Sequence, residues 1–224
     1  STIFNALTGL KQHIGNWPGK TVARAEGGFR FNGKTFKVVD LPGTYSLLSA
    51  SVEEEIARDF ILFGNLHCVV VVMDATALER NLNLTLQILE ITGRAVVALN
   101  LMDEAKKKGI ELDVRGLECE LGVPVVPTVA RTGEGISYLV QAVQDVIEGN
   151  VKTHPRRVRL DPDLEAAVED LAQKIRSTFG EFENPRWIAL RLLDGDANLI
   201  RALREGLVRK GEVQRSRVQS SSRA

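Results

Sequence analysis

Cysteine is scarce in this chain, and the two present, Cys68 and Cys119, have no metal-ligand spacing. That excludes a disulfide framework and a thiolate metal site, and it suits a reducing cytosol. The three histidines, His13, His67 and His154, are scattered, so no histidine-based metal site is expected. An excess of one charge sign is missing too. The 29 Lys and Arg balance 29 Asp and Glu, which argues against nucleic acid as the main partner. The continuous apolar run Cys68 to Met73 is too short to cross a membrane, and no signal-peptide pattern or internal repeat is expected within these residues. What remains is a chain of 224 residues with ordinary apolar content, long enough for one α/β domain and a small helical one.

The organising stretch is Val38-Val39-Asp40-Leu41-Pro42-Gly43, an apolar strand that ends on a carboxylate and turns at Pro-Gly. Ligands of open α/β sheets sit at the carboxyl ends of strands, so Asp40 is placed to hold a metal ion and Gly43 to offer backbone N–H to a phosphate. A D-x-x-G turn alone is a weak signal. A second strand, Ala95 to Leu99, runs into Asn100-Leu101-Met102-Asp103. A carboxylate at Asp103 can accept from both N1–H and the exocyclic amine of guanine, a donor pair that adenine lacks. The amide of Asn100 suits the guanine N7 edge and the neighbouring loop, although Asn100 alone would also serve as a plain helix cap.

The chain opens on a helix, Ser1 to Gly9, with Ile3, Phe4 and Leu7 on one face. A P-loop is G-x-x-x-x-G-K-[ST] after a strand, and Ser1 stands where its hydroxyl residue would be. The expectation is a fragment that lacks the first strand and most of the P-loop, with Ser1 a Mg²⁺ ligand in the intact protein. Such a fragment would bind nucleotide poorly and be inactive. Gln12 to Val22 reads as a loop dense in Gly, Asn and Pro. Thr21 at its exit is a candidate second Mg²⁺ ligand that senses the γ-phosphate, and Trp17 is either a packing residue or part of a lid.

Asn32-Gly33 between Ala25–Phe31 and Thr35–Val39 is a strong hairpin signal. Thr44 to Leu47 and Ser49 to Glu55 read as a mobile segment entering a helix that ends near Phe63. Thr44 stands where a water-orienting glutamine would, so slow hydrolysis is expected. The β-branched run Cys68 to Met73 suits a doubly buried parallel strand. A helix follows over Asn81 to Thr92, another over Val114 to Leu121, then an edge strand Val123 to Pro127. The loop Thr128 to Gly135 is placed to offer N–H to guanine O6 from Ala130 or Arg131, and it leads to a helix over Ile136 to Ile147.

Gly15-Asn16-Trp17-Pro18-Gly19-x-Thr21-Val22, Asp40 to Leu47, and Glu79-Arg80-Asn81-Leu82 with Thr85-Leu86-Gln87 closely resemble the cytoplasmic G domain of the ferrous iron transport protein B family. Pro185 to Asp196 resembles that family's helical spacer. The resemblance implies a GTP-binding, slowly hydrolysing domain on the cytoplasmic face of the bacterial inner membrane, tethered to a polytopic part that carries Fe²⁺. It implies GTP or GDP contacts at Ser1, at Gly19, Lys20, Thr21, Val22 and Ala23, and at Asp40, Leu41, Pro42 and Gly43. Further contacts fall at Asn100, Leu101, Met102 and Asp103, and at Ala130, Arg131 and Thr132. Mg²⁺ would fall to Ser1, Thr21 and Asp40. The loop from Gly15 to Gly19 resembles one whose carbonyls help hold K⁺ in some members. The implied partners are the membrane domain of the same polypeptide, small accessory transport proteins and other copies of the chain.

The expected architecture is a P-loop GTPase-type, mostly parallel sheet flanked by helices and followed by a small all-helical domain. Its limits are a G domain over 1–149, a helical spacer over 150–210 and a basic tail over 211–224. In the spacer, Leu164, Val168, Leu171 and Ile175 recur at helical spacing, with second and third apolar faces at Trp187, Ile188, Leu192 and at Leu199, Ile200, Leu203, Leu207. A soluble ribosome-assembly GTPase and a non-catalytic GTP-dependent switch are the alternatives.

Overall fold

The computed structural model describes residues 2–9, 12–48, 51–157, 159–179, 184–201 and 203–204. Ser1, Ser49 and the tail from 205 onward lie outside the described residues, and with them the expected Mg²⁺ role of Ser1 and the apolar position Leu207. The elements in order are α1 (Thr2–Thr8), β1 (Gln12–Asn16), β2 (Ala23–Phe31), β3 (Lys34–Asp40), α2 (Val52–Phe63), β4 (Val69–Asp74) and α3 (Leu78–Ile91). They continue with β5 (Ala95–Asn100), α4 (Met102–Lys107), α5 (Val114–Leu121), β6 (Val125–Pro127), α6 (Ile136–Glu148), α7 (Pro162–Phe179) and α8 (Pro185–Leu193). The chain divides into two compact units, residues 1–158 and 159–224.

The first unit is α/β. β4, β5 and β6 form a parallel sheet in that order, with Met73 opposite Leu99 and Leu99 opposite Pro127. β5 is buried along its whole length, as a central parallel strand must be when helices cover both faces. Ile3 of α1, Val96 and Ala98 of β5, Ala130, and Leu139 and Val146 of α6 make one apolar cluster. The site loop at Ala130 is therefore anchored in the core.

β1, β2 and β3 form a second, antiparallel sheet in sequence order. The expected loop over Gln12 to Val22 is thus half strand. Gln12–Asn16 carries no apolar alternation, and it is extended because its backbone pairs with β2 from Gly27 to Ala23. The hairpin at Asn32-Gly33 has φ of +48° and +76°, the two left-handed residues of a type I′ turn that suits the strand twist. Asn32 Nδ2 donates to Gln141 and Gln144 Oε1 at 3.3 and 3.2 Å. Lys34 pairs with Glu148 at 2.5 Å, and that hydrogen bond holds the Glu148 carboxyl below the usual carboxylate range. The hairpin tip is thereby fastened to α6.

In the second unit, α7 buries Val168, Ala172 and Ile175, the i, i+4, i+7 stripe of an amphipathic helix. The stripe is rotated from expectation, because Leu164 is 40% exposed and Ala172 takes the inward place. Asn184 caps α8 by accepting from Trp187 N at 3.1 Å, and Pro185 occupies its first turn. Trp187, Ile188 and Ala189 are buried. Arg186 reaches both carboxylate oxygens of Glu165 at 3.1 and 2.8 Å, joining α8 to α7. Among the described residues no helix is long and apolar enough to cross a membrane.

Candidate functional site

Two parallel strands deliver the first group of residues. β5 ends on Asn100, and the next residue, Leu101, has φ +64° and ψ +33°, a left-handed conformation that costs a branched side chain about 1 kcal/mol. The turn it makes starts α4 immediately and sets Asp103 in the first turn. β6 ends on Pro127, and the chain crosses through Thr128 to Arg131 before Gly135 admits it to α6. Gly135 has φ +78°, and a Cβ there would collide with the Pro127 carbonyl oxygen.

Asn100 ties these two loops together. Its side chain is buried, and Oδ1 accepts from Ala130 N at 3.0 Å and from Thr128 Oγ1 at 3.2 Å. Thr128 N donates to Leu99 O at 2.8 Å, and Met102 N to Thr128 O at 3.3 Å. A buried amide of this kind is satisfied on one side and has its NH₂ for other partners. Of the two N–H groups proposed for guanine O6, that of Ala130 is already given to Asn100, so Arg131 N–H is the candidate for that role. Thr132 closes the loop on itself, its N and Oγ1 both donating to Val129 O at 3.0 and 3.1 Å.

Asp103 is the most informative group. Its Oδ2 accepts from Arg131 at 3.1 Å, while its Oδ1 is buried and has no hydrogen-bond partner. A buried acceptor without a partner costs about 1–3 kcal/mol, more when charged. Trp17 Nε1 and Arg24 Nε share this unpartnered status, but Asp103 is the one carboxylate among the three.

The second group lies on the other sheet. Asp40 ends β3 opposite Ala25 of β2, so Asp40 and the Thr21 turn that precedes β2 stand at the same end of the β1–β3 sheet. Leu41 and Pro42 are half-buried, Gly43 and Thr21 exposed. Trp17 N donates to Val22 O at 2.9 Å and Lys20 N to Trp17 O at 3.0 Å, which closes the turn ahead of Ala23. Lys20 Nζ pairs with Glu55 Oε2 of α2 at 3.0 Å, so its ammonium is turned to that helix. Trp17 is buried rather than an exposed lid. Its ring meets Phe60 of α2 edge-on at 5.0 Å, and the Arg24 guanidinium lies 4.7 Å from its centroid. Of the three residues expected to hold Mg²⁺, Thr21 and Asp40 are among the described ones. Among the described residues no group of three or more His, Cys, Asp or Glu could hold a metal ion.

Sequence reasoning gave no role to Arg80 and Gln87, which fasten the segment after Gly43 to α3. Gln87 Oε1 accepts from Leu47 N at 2.7 Å and from Ser46 Oγ at 3.4 Å, and Arg80 stacks 4.1 Å over the Tyr45 ring. Both stand on α3 near one helical face, a spacing visible in the sequence once that helix is drawn. Thr44 Oγ1 donates to Ser46 O at 2.7 Å, so the hydroxyl is engaged within its own turn.

Comparisons place this geometry in a family. A family profile described as ferrous iron transport protein B matches residues 1–143, and one described as FeoB cytosolic helical domain matches residues 161–223. The Fe(2+) transporter FeoB of Salmonella typhimurium is 40% identical over 200 residues, 88% of this chain and 25% of the relative. A Fe(2+) transport protein A/Fe(2+) transporter FeoB fusion protein of Porphyromonas gingivalis is 40% identical over 209 residues, 92% of this chain and 25% of the relative. The crystal structure of the cytosolic domain of the T. maritima FeoB iron transporter in a GDP form superposes with a TM-score of 0.80 at 38% identity, covering 92% of this chain and 80% of that one. The chain spans about a quarter of the length of the curated relatives it matches. With a family match over most of its length and relatives at this identity, the chain belongs to the ferrous iron transport protein B family.

Proposed function

We propose that residues 1–149 belong to the cytoplasmic G domain with which a full-length Fe²⁺ transporter binds and slowly hydrolyses GTP, and that residues 150–210 are the helical spacer between it and the membrane part, with 211–224 a basic tail. The observation that carries the nucleotide reading is the buried, unpartnered Asp103 Oδ1 beside the Asn100-locked loop. Asp103 accepts from the guanine N1–H and amine, Arg131 N–H meets O6, and the Asn100 amide faces the N7 edge. Met102, Leu101, Ala130 and Thr132 shape the loops around the base.

At the phosphate end, Thr21 and Asp40 are the Mg²⁺ residues of this chain together with Ser1, and Gly43 donates its N–H toward the γ-phosphate. Gly19, Lys20, Val22 and Ala23 carry Thr21, and Leu41 and Pro42 carry Gly43. Mg²⁺ supplies charge neutralisation at the phosphates, and K⁺ held by the carbonyls of Gly15 to Gly19 is the proposed activator. Thr44, engaged with Ser46, does not orient water, which supports a slow intrinsic rate. Loss of the Gly43 contact on hydrolysis would release the segment up to α2. The setting is the cytoplasmic face of the inner membrane. The membrane part of the same polypeptide is the main partner, and an accessory protein of the kind fused in the P. gingivalis relative is another. A non-catalytic switch is the competing reading, separated from this one by single-turnover GTP loss with and without K⁺.

The decisive experiment is Asp103→Asn in the full-length protein. Xanthine carries an acceptor where guanine carries its amine, so the variant should lose about tenfold to a hundredfold in GTP affinity and gain affinity for xanthosine triphosphate. Unchanged GTP affinity would sink the base assignment.

A further inference from the structure

We propose that the Arg131 side chain is a positioning residue for purine selectivity, holding the Asp103 carboxylate in the one orientation that presents Oδ1 to the base. The inference rests on the guanine reading above and assigns to this side chain the control of its selectivity. Arg131 and Asp103 come from two different loops, one after β6 and one after β5, and meet where Asn100 and the Thr128 backbone bind those loops together. The guanidinium approaches from the solvent side, with 73% of the Arg131 side chain exposed against 25% for Asp103. It takes Oδ2 and leaves Oδ1, which is buried and without a partner.

A free aspartate turns about χ2 in a broad well and exchanges its two oxygens. Guanine needs both of them at once, one for N1–H and one for the amine. A carboxylate oxygen accepts more than one hydrogen bond, so Oδ2 can keep Arg131 while it receives a purine donor. The guanidinium thus freezes the rotation before the ligand arrives. It also remains as a counter-charge to the carboxylate when the base binds. The residue then acts twice on one ligand, through its N–H on the purine oxygen and through its guanidinium on Asp103, and only the second action is open to side-chain substitution.

The test compares wild type, Arg131→Ala and Arg131→Lys in the full-length protein, with GTP and with inosine triphosphate, which lacks the exocyclic amine. Arg131→Ala should weaken GTP by about threefold to fivefold and narrow the preference for GTP over inosine triphosphate by a similar factor. Arg131→Lys should recover part of that preference. Raising the salt concentration should narrow the preference of the wild type and leave that of Arg131→Ala unchanged, a response that a packing role would not produce. An unchanged preference in Arg131→Ala, or tighter GTP binding by that variant, overturns the proposal, the second result marking Arg131 as a plug that the nucleotide must displace. Asp103→Asn measured alongside separates the failures. If it leaves GTP binding intact, the guanine reading falls, whereas if it abolishes GTP preference while Arg131→Ala changes nothing, only the positioning role falls.

Discussion

At the residue scale, the chemistry that could be read from the sequence was that of groups whose role follows from their own atoms. Asn100 and Asp103 stand at a strand end because the strand before them is continuous and apolar, and their donor and acceptor sets limit what they can meet. Trp17 was not legible in the same way. An indole beside Pro and Gly reads equally as a lid or as core, and Phe60 and Arg24, which decide for core, lie on other elements. The engagement of the Ala130 N–H was hidden for a related reason, since its acceptor belongs to Asn100 on the neighbouring strand. The two cysteines give a prediction at this scale. Burial pushes the Cys68 thiol up to about 12, and Cys119 is exposed. Alkylation needs the thiolate, so at pH 8 iodoacetamide should modify Cys119 alone, with Cys68 reacting once denaturant is added. Peptide mapping of the labelled folded protein checks this, and labelling of Cys68 at a comparable rate would contradict its burial.

At the element scale, punctuation was more legible than pairing. Asn32-Gly33 announced its hairpin because few other residues tolerate two consecutive positive φ values, and the helices over 114–121 and 136–148 follow from apolar spacing bounded by Asp and Gly. β1 was not legible, for Gln12 to Asn16 becomes a strand only through the partner that β2 provides. Two substitutions test the punctuation. Replacing Gly33 by Val places a branched side chain at φ +76° and should destabilise the protein by about 1–2 kcal/mol. Ser51 caps α2 by accepting from Glu54 N at 3.1 Å, and Ser51→Ala should cost about 1 kcal/mol. Urea unfolding followed by circular dichroism reads both, and a variant as stable as wild type would remove the corresponding turn or cap from the account.

At the scale of the whole molecule, what no local pattern reveals is which distant segments share a helix. The Thr21 turn is bound to α2 by the Trp17 and Phe60 rings and by Lys20 with Glu55, and α2 follows the Asp40 to Gly43 stretch along the chain. Both segments proposed to meet the γ-phosphate are therefore linked to one helix, one by contact and one by connection. Trp17 should report on that end of the molecule. In a full-length variant that retains Trp17 as its one tryptophan, emission should be that of a buried indole and should differ between the GDP-bound and GTP-analogue-bound states. Phe60 is half-buried, so Phe60→Ala, which removes the edge contact, should shift the emission to longer wavelength and destabilise the fold by about 1–3 kcal/mol. If emission is identical in the two nucleotide states, α2 does not carry the phosphate signal to this turn, and the Trp17 contact is packing alone.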